Sequence, residues 1–555
     1  MEYEDFILLL EQSIKDNWNS PALTDYNGPT LQYKDVARKI EKLHILFENA
    51  GIEPGDRIAL YGRNTSQWAV AFLATMTFGA VAVPILHEFK GEQAHNIVNH
   101  SEARLLFVGD QAKASIDPDQ MPHLEGILNN PDYSLMMSRS SRLTEARENL
   151  NALYGQRYPK FFNPEHVTYH RQPDGEALAL INYTSGTTGS SKGVMLPYRA
   201  IWSNARLGQD LLPSIFSPGH RVVAMLPAAH MYGLMFEFLC EFLHGMHVYY
   251  LTRIPSPRVI FKAFGEVKPH MVIAVPLIIE KIIRQNILPR LEGIGMKWLL
   301  KTPIVQDRIL YRIRQKLVEA FGGNIYEVII GGAAFNSDID HFLHKTGFPY
   351  TVGFGATETA PLATYIDWHQ FRPGSCGKAA PRMEIKISST NPQVEVGEVL
   401  VRGANVMLGY YKNPEATAAV LDAQGWYHTG DLGLMDLEGN LYIKGRSKNM
   451  LLTPNGQNVY PEEVESKMNT FPLVSECIMV QRGDKFQMLI HPDMDEAERL
   501  GMSHAAVEAL MEQNRKDLNL QLNSYEQIQS IRIYDEEFQK TPKRSIKRYL
   551  YANEG

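Results

Sequence analysis

The chain is poor in cysteine and carries no excess of basic charge. Only Cys240, Cys376 and Cys477 occur in 555 residues, and none stands at a paired spacing. That excludes a disulfide framework, a cysteine-rich zinc site and a redox dithiol, and reads as incidental thiols in a reducing, cytoplasmic compartment. A net charge of -7 removes the field expected of a nucleic-acid binder, so any anionic ligand must be held by local groups. A repeat of fixed period and a low-complexity segment are also missing, which sets solenoids and tails aside. The first residues, MEYEDFILLLEQSIKDNW, put acids ahead of a short apolar run; this is the reverse of a secretory signal, and it predicts a capping helix. One charge-free run, Trp68 to Leu86, approaches the length of a membrane span. Gly79 and Pro84 divide it into an apolar helix followed by a strand of a parallel sheet covered on both faces, so no integral membrane segment is expected.

What is present is a globular composition, 44% hydrophobic and 21% charged, in a chain too long for one compact core. Through its first two thirds, β-branched runs such as ARLLFVG, LALIN, RVVAML and HMVIAV alternate with helical patterns, the signature of a layered α/β fold. From about Gly397 the texture shifts to closely spaced strands and turns, GEVLVRG, GWYHTGDLG and GNLYIKGR, as short antiparallel strands require. After Arg446 polar helices mix with short strands, and roughly the last hundred residues read as a separate small α+β domain.

The strongest chemical signal is Tyr183-Thr184-Ser185-Gly186-Thr187-Thr188-Gly189-Ser190-Ser191-Lys192-Gly193, directly after the apolar strand LALIN. Small hydroxyl residues and glycines let the backbone approach a polyphosphate and donate to its oxygens, while Lys192 adds a point charge. The second glycine lies three residues before the lysine, so the loop is not of the Walker A kind. Further blocks follow in order: LPAAHMYG with His230, GGAA with Gly332 and Ala333, GFGATE with Phe354, Gly355, Thr357 and Glu358, WYHTGD with Asp431, YIKGRSKN with Arg446 and Lys448, and NGQNVYPE with Gly456 and Asn458.

Taken together these blocks resemble the adenylate-forming superfamily of acyl-CoA synthetases, luciferases and nonribosomal-peptide adenylation domains, over nearly the whole chain. The resemblance implies a large multi-layer α/β domain with parallel sheets and a small barrel-like part over residues 1–445, a hinge at 446–448 centred on Lys448, and a small mobile α+β domain over 449–555. It implies that ATP lies on the Thr184–Gly189 loop, with Lys192 as a catalytic cation and Gly332, Ala333, Phe354 and Gly355 along adenine. Thr357 then contacts phosphate, Asp431 and Arg446 meet ribose, and Glu358 with Thr184 holds Mg2+, a hard cation that takes oxygen ligands. His230 would face the reacting carboxylate, and Gly456 and Asn458 would frame a tunnel for the thiol of coenzyme A or of an acyl carrier protein.

The chain departs from the family pattern near its C-terminus. Where the family carries a lysine that contacts carboxylate and α-phosphate, KTPKRSIKR has Ser545, and Lys543 is the expected substitute. A non-catalytic ATP or acyl-adenylate binder is the rival that Ser545 raises; retention of Lys192, Glu358, Asp431 and Arg446 argues against it. The wording of GRSKNML, NGQNVYPEEVE and IKRYLY resembles bacterial long-chain acyl-CoA synthetases. No charged residue in PAAHMYG or GGAAF asks for a charged substrate, so a medium- or long-chain fatty acid is expected ahead of an aryl acid, with peripheral membrane contact following from such a substrate.

Overall fold

The computed structural model describes residues 2–184, 191–252, 256–286, 303–453, 457–540 and 546–552. The N-terminal helix, Phe6–Asp16, starts where Asp5 accepts the Ile7 N–H at 3.0 Å, and it buries Phe6, Ile7, Leu10 and Ile14. The run Trp68–Leu86 resolves as expected. Ser66–Thr77 is a helix buried on every side, Gly79 turns the chain at φ +83°, and Val81–Ile85 is a fully buried strand. Inside that apolar helix the Thr75 and Thr77 hydroxyls donate back to Ala71 and Leu73 carbonyls at 2.8 and 2.7 Å, which removes the cost of burying two unpaired hydroxyls. Among the described residues no helix is long and apolar enough to cross a membrane.

Two large sheets carry the bulk of the chain. In the eight-stranded sheet, Leu178–Thr184, Val81–Ile85, Arg57–Tyr61, Leu105–Val108 and Gly126–Asn129 run parallel as neighbours, and antiparallel strands close both edges. In the seven-stranded sheet, Tyr350–Val352, Glu327–Ile330, Met271–Ala274, Arg221–Ala224, His247–Tyr250 and Pro21–Asp25 are parallel. Near-continuous Val, Ile and Leu in these strands is what burial on both faces demands. Parallel strands point their C-terminal ends the same way, and the segments beyond Thr184, Ala224, Ile330 and Val352 hold the first four blocks singled out in the sequence.

An antiparallel sheet of four strands, Met383–Ile387, Gly397–Gly403, Tyr427–Met435 and Leu441–Arg446, forms the part that the texture change near Gly397 marks. Beyond it, the strands Val474–Arg482, Lys485–Pro492 and Ser530–Ile533 pack on helices Pro461–Met468 and His504–Asn519. These enclose a core of their own that includes Val459, Val464, Met468, Met479, Met488 and Met511. Cys240 and Cys477 are buried and all three cysteines are free. The α/β class with parallel sheets and an antiparallel part is the one the alternating pattern implies.

Candidate active site

The phosphate-loop block is the connection of a hairpin. Leu178–Thr184 and Lys192–Pro197 pair antiparallel, with Thr184 directly opposite Lys192. Ser185, Gly186, Thr187, Thr188 and Gly189 lie outside the described residues. Sequence reading placed a strand before the loop but not the returning strand, because Gly-Val-Met-Leu-Pro is as compatible with a helix entrance.

Lys192 sits with its Nζ 4.7 Å from the ring centroid of Tyr410. The two-residue strand Gly409–Tyr410 pairs antiparallel with Met195 and Val194 and so forms the sheet's edge beside the loop. At the ring's edge, Tyr410 Oη donates to Glu358 Oε1 at 2.9 Å. One tyrosine thereby joins a cation to a carboxylate, through a cation–π contact at its face and a charge-assisted hydrogen bond from its hydroxyl. Burial and the adjacent Glu358 carboxylate push the Tyr410 hydroxyl well above its ordinary range, so it stays a donor. Glu358 itself stands in the short turn Thr357–Thr359, where its carbonyl accepts the Met407 N–H at 2.9 Å. Thr357 is buried beside it.

Asp431 and Arg446 face each other across adjacent strands, with Arg446 Nε 3.0 Å from Asp431 Oδ1. The pair is asymmetric: the Asp431 side chain is 8% exposed and that of Arg446 54%. Burial raises the Asp431 carboxyl, Arg446 opposes that shift, and Glu358 is close enough to add to it. Lys448 is exposed; desolvation and then Arg446 lower its ammonium, Asp431 and Glu462 oppose that shift, and Lys192 adds to it. Glu358, Asp431, Arg446, Lys448 and Lys192 therefore share one electrostatic neighbourhood although they span the sequence from 192 to 448.

The third wall is the loop after Arg221–Ala224. His230 caps the turn Met231–Leu234, its Nδ1 accepting the Tyr232 N–H at 3.3 Å. Tyr232 Oη donates to the Ile329 carbonyl at 3.0 Å, which ties this loop to the strand that leads into Gly331. A side chain on Gly331 would meet the Tyr232 ring at 3.2 Å, so the absence of a Cβ there is a packing requirement. Gly332 has φ +87° and, with Ala333, is exposed, leaving bare backbone on which a flat ring can lie. Phe354 is half-buried and its N–H donates to Thr364 Oγ1 at 3.1 Å; Gly355 next to it is exposed.

Asn458 is exposed on a two-residue strand opposite Leu452, whereas Gly456, Lys543 and Ser545 lie outside the described residues. Nearby basic groups are engaged elsewhere. Lys540 pairs with Glu476 and Glu537, and Arg548 makes a bidentate bridge to Glu465 at 2.6 Å per arm. Sequence reading missed Tyr410, whose partners lie 218 and 52 residues away. It also missed Glu462 of NGQNVYPE, whose Oε1 accepts from Asn449 Nδ2 at 2.6 Å beside Gly445. Neither has a local signal, since each is defined by what long-range pairing brings against it.

A magnesium ion bridging polyphosphate oxygens needs only one or two carboxylates from protein. Among the described residues no cluster of three or more His, Cys, Asp or Glu could hold a metal alone, while Glu358 keeps one oxygen beyond its Tyr410 bond. The donor set fits a metal that arrives with a phosphorylated ligand and not a resident protein-only site.

Known proteins with this arrangement agree. A family model described as AMP-binding enzyme matches residues 10–411. A long-chain-fatty-acid–CoA ligase, FadD15 of Mycobacterium bovis, is 27% identical, with 93% of this chain and 90% of that protein aligned. The putative acyl–CoA ligase YdaB of Bacillus subtilis is 26% identical over 81% of each. Among solved structures, an anthranilate CoA ligase, AuaEII, in complex with anthranoyl-AMP superposes with a TM-score of 0.79 at 20% identity, covering 99% of this chain and 96% of that one. ATP-bound MatB from Rhodopseudomonas palustris superposes at 0.76 and 22% identity, over 99% and 98%. With the model match covering well over half of its length, the chain belongs to the AMP-binding enzyme family.

Proposed function

We propose that the chain activates a medium- or long-chain fatty acid with ATP to an acyl-adenylate and transfers the acyl group to coenzyme A, releasing AMP and pyrophosphate. It is a ligase of the AMP-forming acyl-CoA synthetase kind, the activity that the names of its AMP-binding relatives carry. The observation that carries the reading is the Lys192–Tyr410–Glu358 array beside the Asp431–Arg446 pair. It offers positive charge to a polyphosphate and a carboxylate acceptor to ribose hydroxyls within one neighbourhood.

In the first step the substrate carboxylate attacks the α-phosphorus, an anhydride P–O bond forms, and the bond to pyrophosphate breaks. Lys192 is held by the Tyr410 face where negative charge builds, so that catalysis is positioning and charge neutralisation. Magnesium, held by Glu358 with Thr184, would supply further neutralisation of the polyphosphate when bound. Asp431 accepts from ribose and Arg446, half in solvent, bounds the same end. His230 stands at the mouth of the acyl side. In the second step the thiolate attacks the acyl carbon and AMP leaves, which splits one hard condensation into two displacements.

The hinge reading at 446–448 is supported by Lys448 feeling the charges of Asp431 and Arg446 on one hand and of Glu462 on the other, and rotation there would bring Asn458 and Gly456 to the thiol. Lys543 is kept as the cation standing in for the lysine replaced by Ser545. A cytoplasmic location, with transient membrane contact to collect an apolar substrate, follows from the same reading.

The test is AMP and pyrophosphate formation with a panel of fatty and aryl acids, with and without coenzyme A. Turnover that needs both a fatty acid and coenzyme A is expected. Acid-dependent pyrophosphate exchange without thioester would replace coenzyme A by a carrier-protein thiol, and ATP binding without turnover would make the chain the binder that Ser545 suggests.

A further inference from the structure

The loop that carries His230 has its main chain held by side chains from three separate elements. It follows the strand Arg221–Ala224, and five of its backbone groups over residues 225–229 find partners outside the loop. Asn64 takes two: its Nδ2 donates to the Leu226 carbonyl at 2.5 Å and its Oδ1 accepts the Ala228 N–H at 2.6 Å. Asn182 takes a third, donating to the Ala229 carbonyl at 2.8 Å from the strand that ends at Thr184. The last two, the N–H groups of Met225 and Leu226, both donate to one atom, Glu237 Oε2, at 3.1 and 2.8 Å.

Glu237 is an unusual residue to find there. It is 1% exposed, in the middle of a π-helical turn, Met235–Leu239, inserted between two short α-helical turns. Such turns are rare and concentrate where a helix must re-aim a side chain. Among the described residues no arginine, lysine or histidine bonds to it, and its other oxygen, Oε1, is buried without a partner. One helical turn on, Glu241 is fully buried and neither of its oxygens has a partner. Two buried acids without a counter-charge are tolerable only when protonated, and burial accordingly raises both, with Glu241 pushed up to about 8. A leucine or methionine would fill the same space at lower cost, so packing does not explain an acid here. The two N–H groups do: a chain end leaving a sheet has donors that water cannot reach.

We propose that Glu237 is a positioning residue for acid activation, its carbonyl oxygen fixing the end of the Arg221–Ala224 strand so that His230 is presented at the acyl mouth of the site. The inference rests on the reading of His230 as the residue facing the substrate carboxylate. Asn64 and Asn182 hold the same loop from the opposite side, and Asn182 couples it to the strand that feeds the phosphate loop. Withdrawal of the Glu237 acceptor frees two N–H groups at the loop's root and lets His230 move relative to Lys192.

The decisive comparison is Glu237→Gln, which keeps a neutral carbonyl acceptor, with Glu237→Leu, which removes it. Both are assayed by fatty-acid-dependent ATP–pyrophosphate exchange, resolved into KM for acid and for ATP, and by amide hydrogen exchange across residues 225–230. The leucine variant is expected to raise the acid KM or lower kcat by about 10- to 100-fold, the cost of ångström-scale misplacement, while the KM for ATP stays within about twofold and exchange at residues 225 and 226 accelerates. The glutamine variant is expected to stay near wild type in all three. A purely structural role would lower Tm and move both KM values together, which overturns the proposal. So does a folded leucine variant with unaltered acid kinetics and unaltered exchange, or a glutamine variant as impaired as the leucine one. Where the leucine variant does not fold, Glu237→Asp, which pulls the acceptor back by one methylene, is expected to show the same acid-selective defect, and a wild-type profile there counts against the idea. If wild type activates no acid at all, the functional reading fails, and the amide exchange of the variants still decides whether Glu237 holds the loop.

Discussion

The two sides of the site are built by opposite means. On the His230 side, loop geometry is fixed by neutral polar groups in a dry interior: Asn64, Asn182 and Glu237, each bonded to main chain and each less than a tenth exposed. On the Asp431 side the groups are charges set across the boundary with solvent: Asp431 is buried and Glu462 half-buried, while Lys448 is exposed and Arg446 is more than half in solvent. Neutral bonds in a dry interior hold one arrangement and yield only by breaking, whereas charges at a wet surface exchange partners at little cost. The first suits a wall that must not move, the second a seam between parts that must.

Four experiments sharpen that contrast. The largest effect is expected for Glu358→Gln, which keeps the Tyr410 bond but removes the charge; a fall in pyrophosphate exchange of about 10²- to 10³-fold, with fold and Tm retained, is read by exchange assay and calorimetry. Next is Glu241→Gln on the dry side. The Glu241 pKa is about 8 in the fold against an ordinary 4.5. Because the folded value is raised, the stability associated with the proton is complete below pH 4.5 and is lost as pH rises toward 8. The glutamine, which never ionises and leaves no bond behind, is therefore expected to be more stable by about 3 kcal/mol at pH 7 and equal below pH 4.5; urea titrations at both pH values check it, and a gain independent of pH would contradict the assignment. Third, Tyr410→Phe removes the donor to Glu358 while keeping the ring under Lys192, and a loss of about tenfold in kcat is expected for one bond to a charged group of about 1.5 kcal/mol. Smallest is Lys444→Ala, which breaks the half-exposed pair with Glu463 at 2.7 Å. Stability should change by less than about 1 kcal/mol and the difference should vanish in 1 M salt.

The same contrast explains what the sequence disclosed. The α/β layering, the buried helix and strand within Trp68–Leu86 and the antiparallel part near Gly397 follow from local periodicity and turn residues, which read directly. Lys192, Glu358, Asp431 and Arg446 stand in compact blocks whose resemblance to the adenylate-forming pattern implies phosphate, metal and ribose roles, and the fold gathers them. Tyr410, Asn64, Asn182 and Glu237 announce nothing. A tyrosine in Gly-Tyr-Tyr or a glutamate within MFEFLCE has no local pattern, and each acquires its part only through what the fold lays against it, from 11 residues away for Glu237 to 218 for Tyr410. The hairpin at Thr184 and Lys192 was obscured for a related reason, since its second strand is paired by an edge strand from residue 409.

That edge strand also has a bearing on how the protein is made. Until Gly409–Tyr410 leaves the ribosome, the strand Lys192–Pro197 has one side without its final neighbour, and the nascent polypeptide displays an unprotected row of backbone donors and acceptors of the kind that recruits other chains. At ordinary elongation rates that interval lasts on the order of 10 to 40 s. The edge beside Lys192 is therefore completed late in synthesis, after more than two hundred further residues have been added.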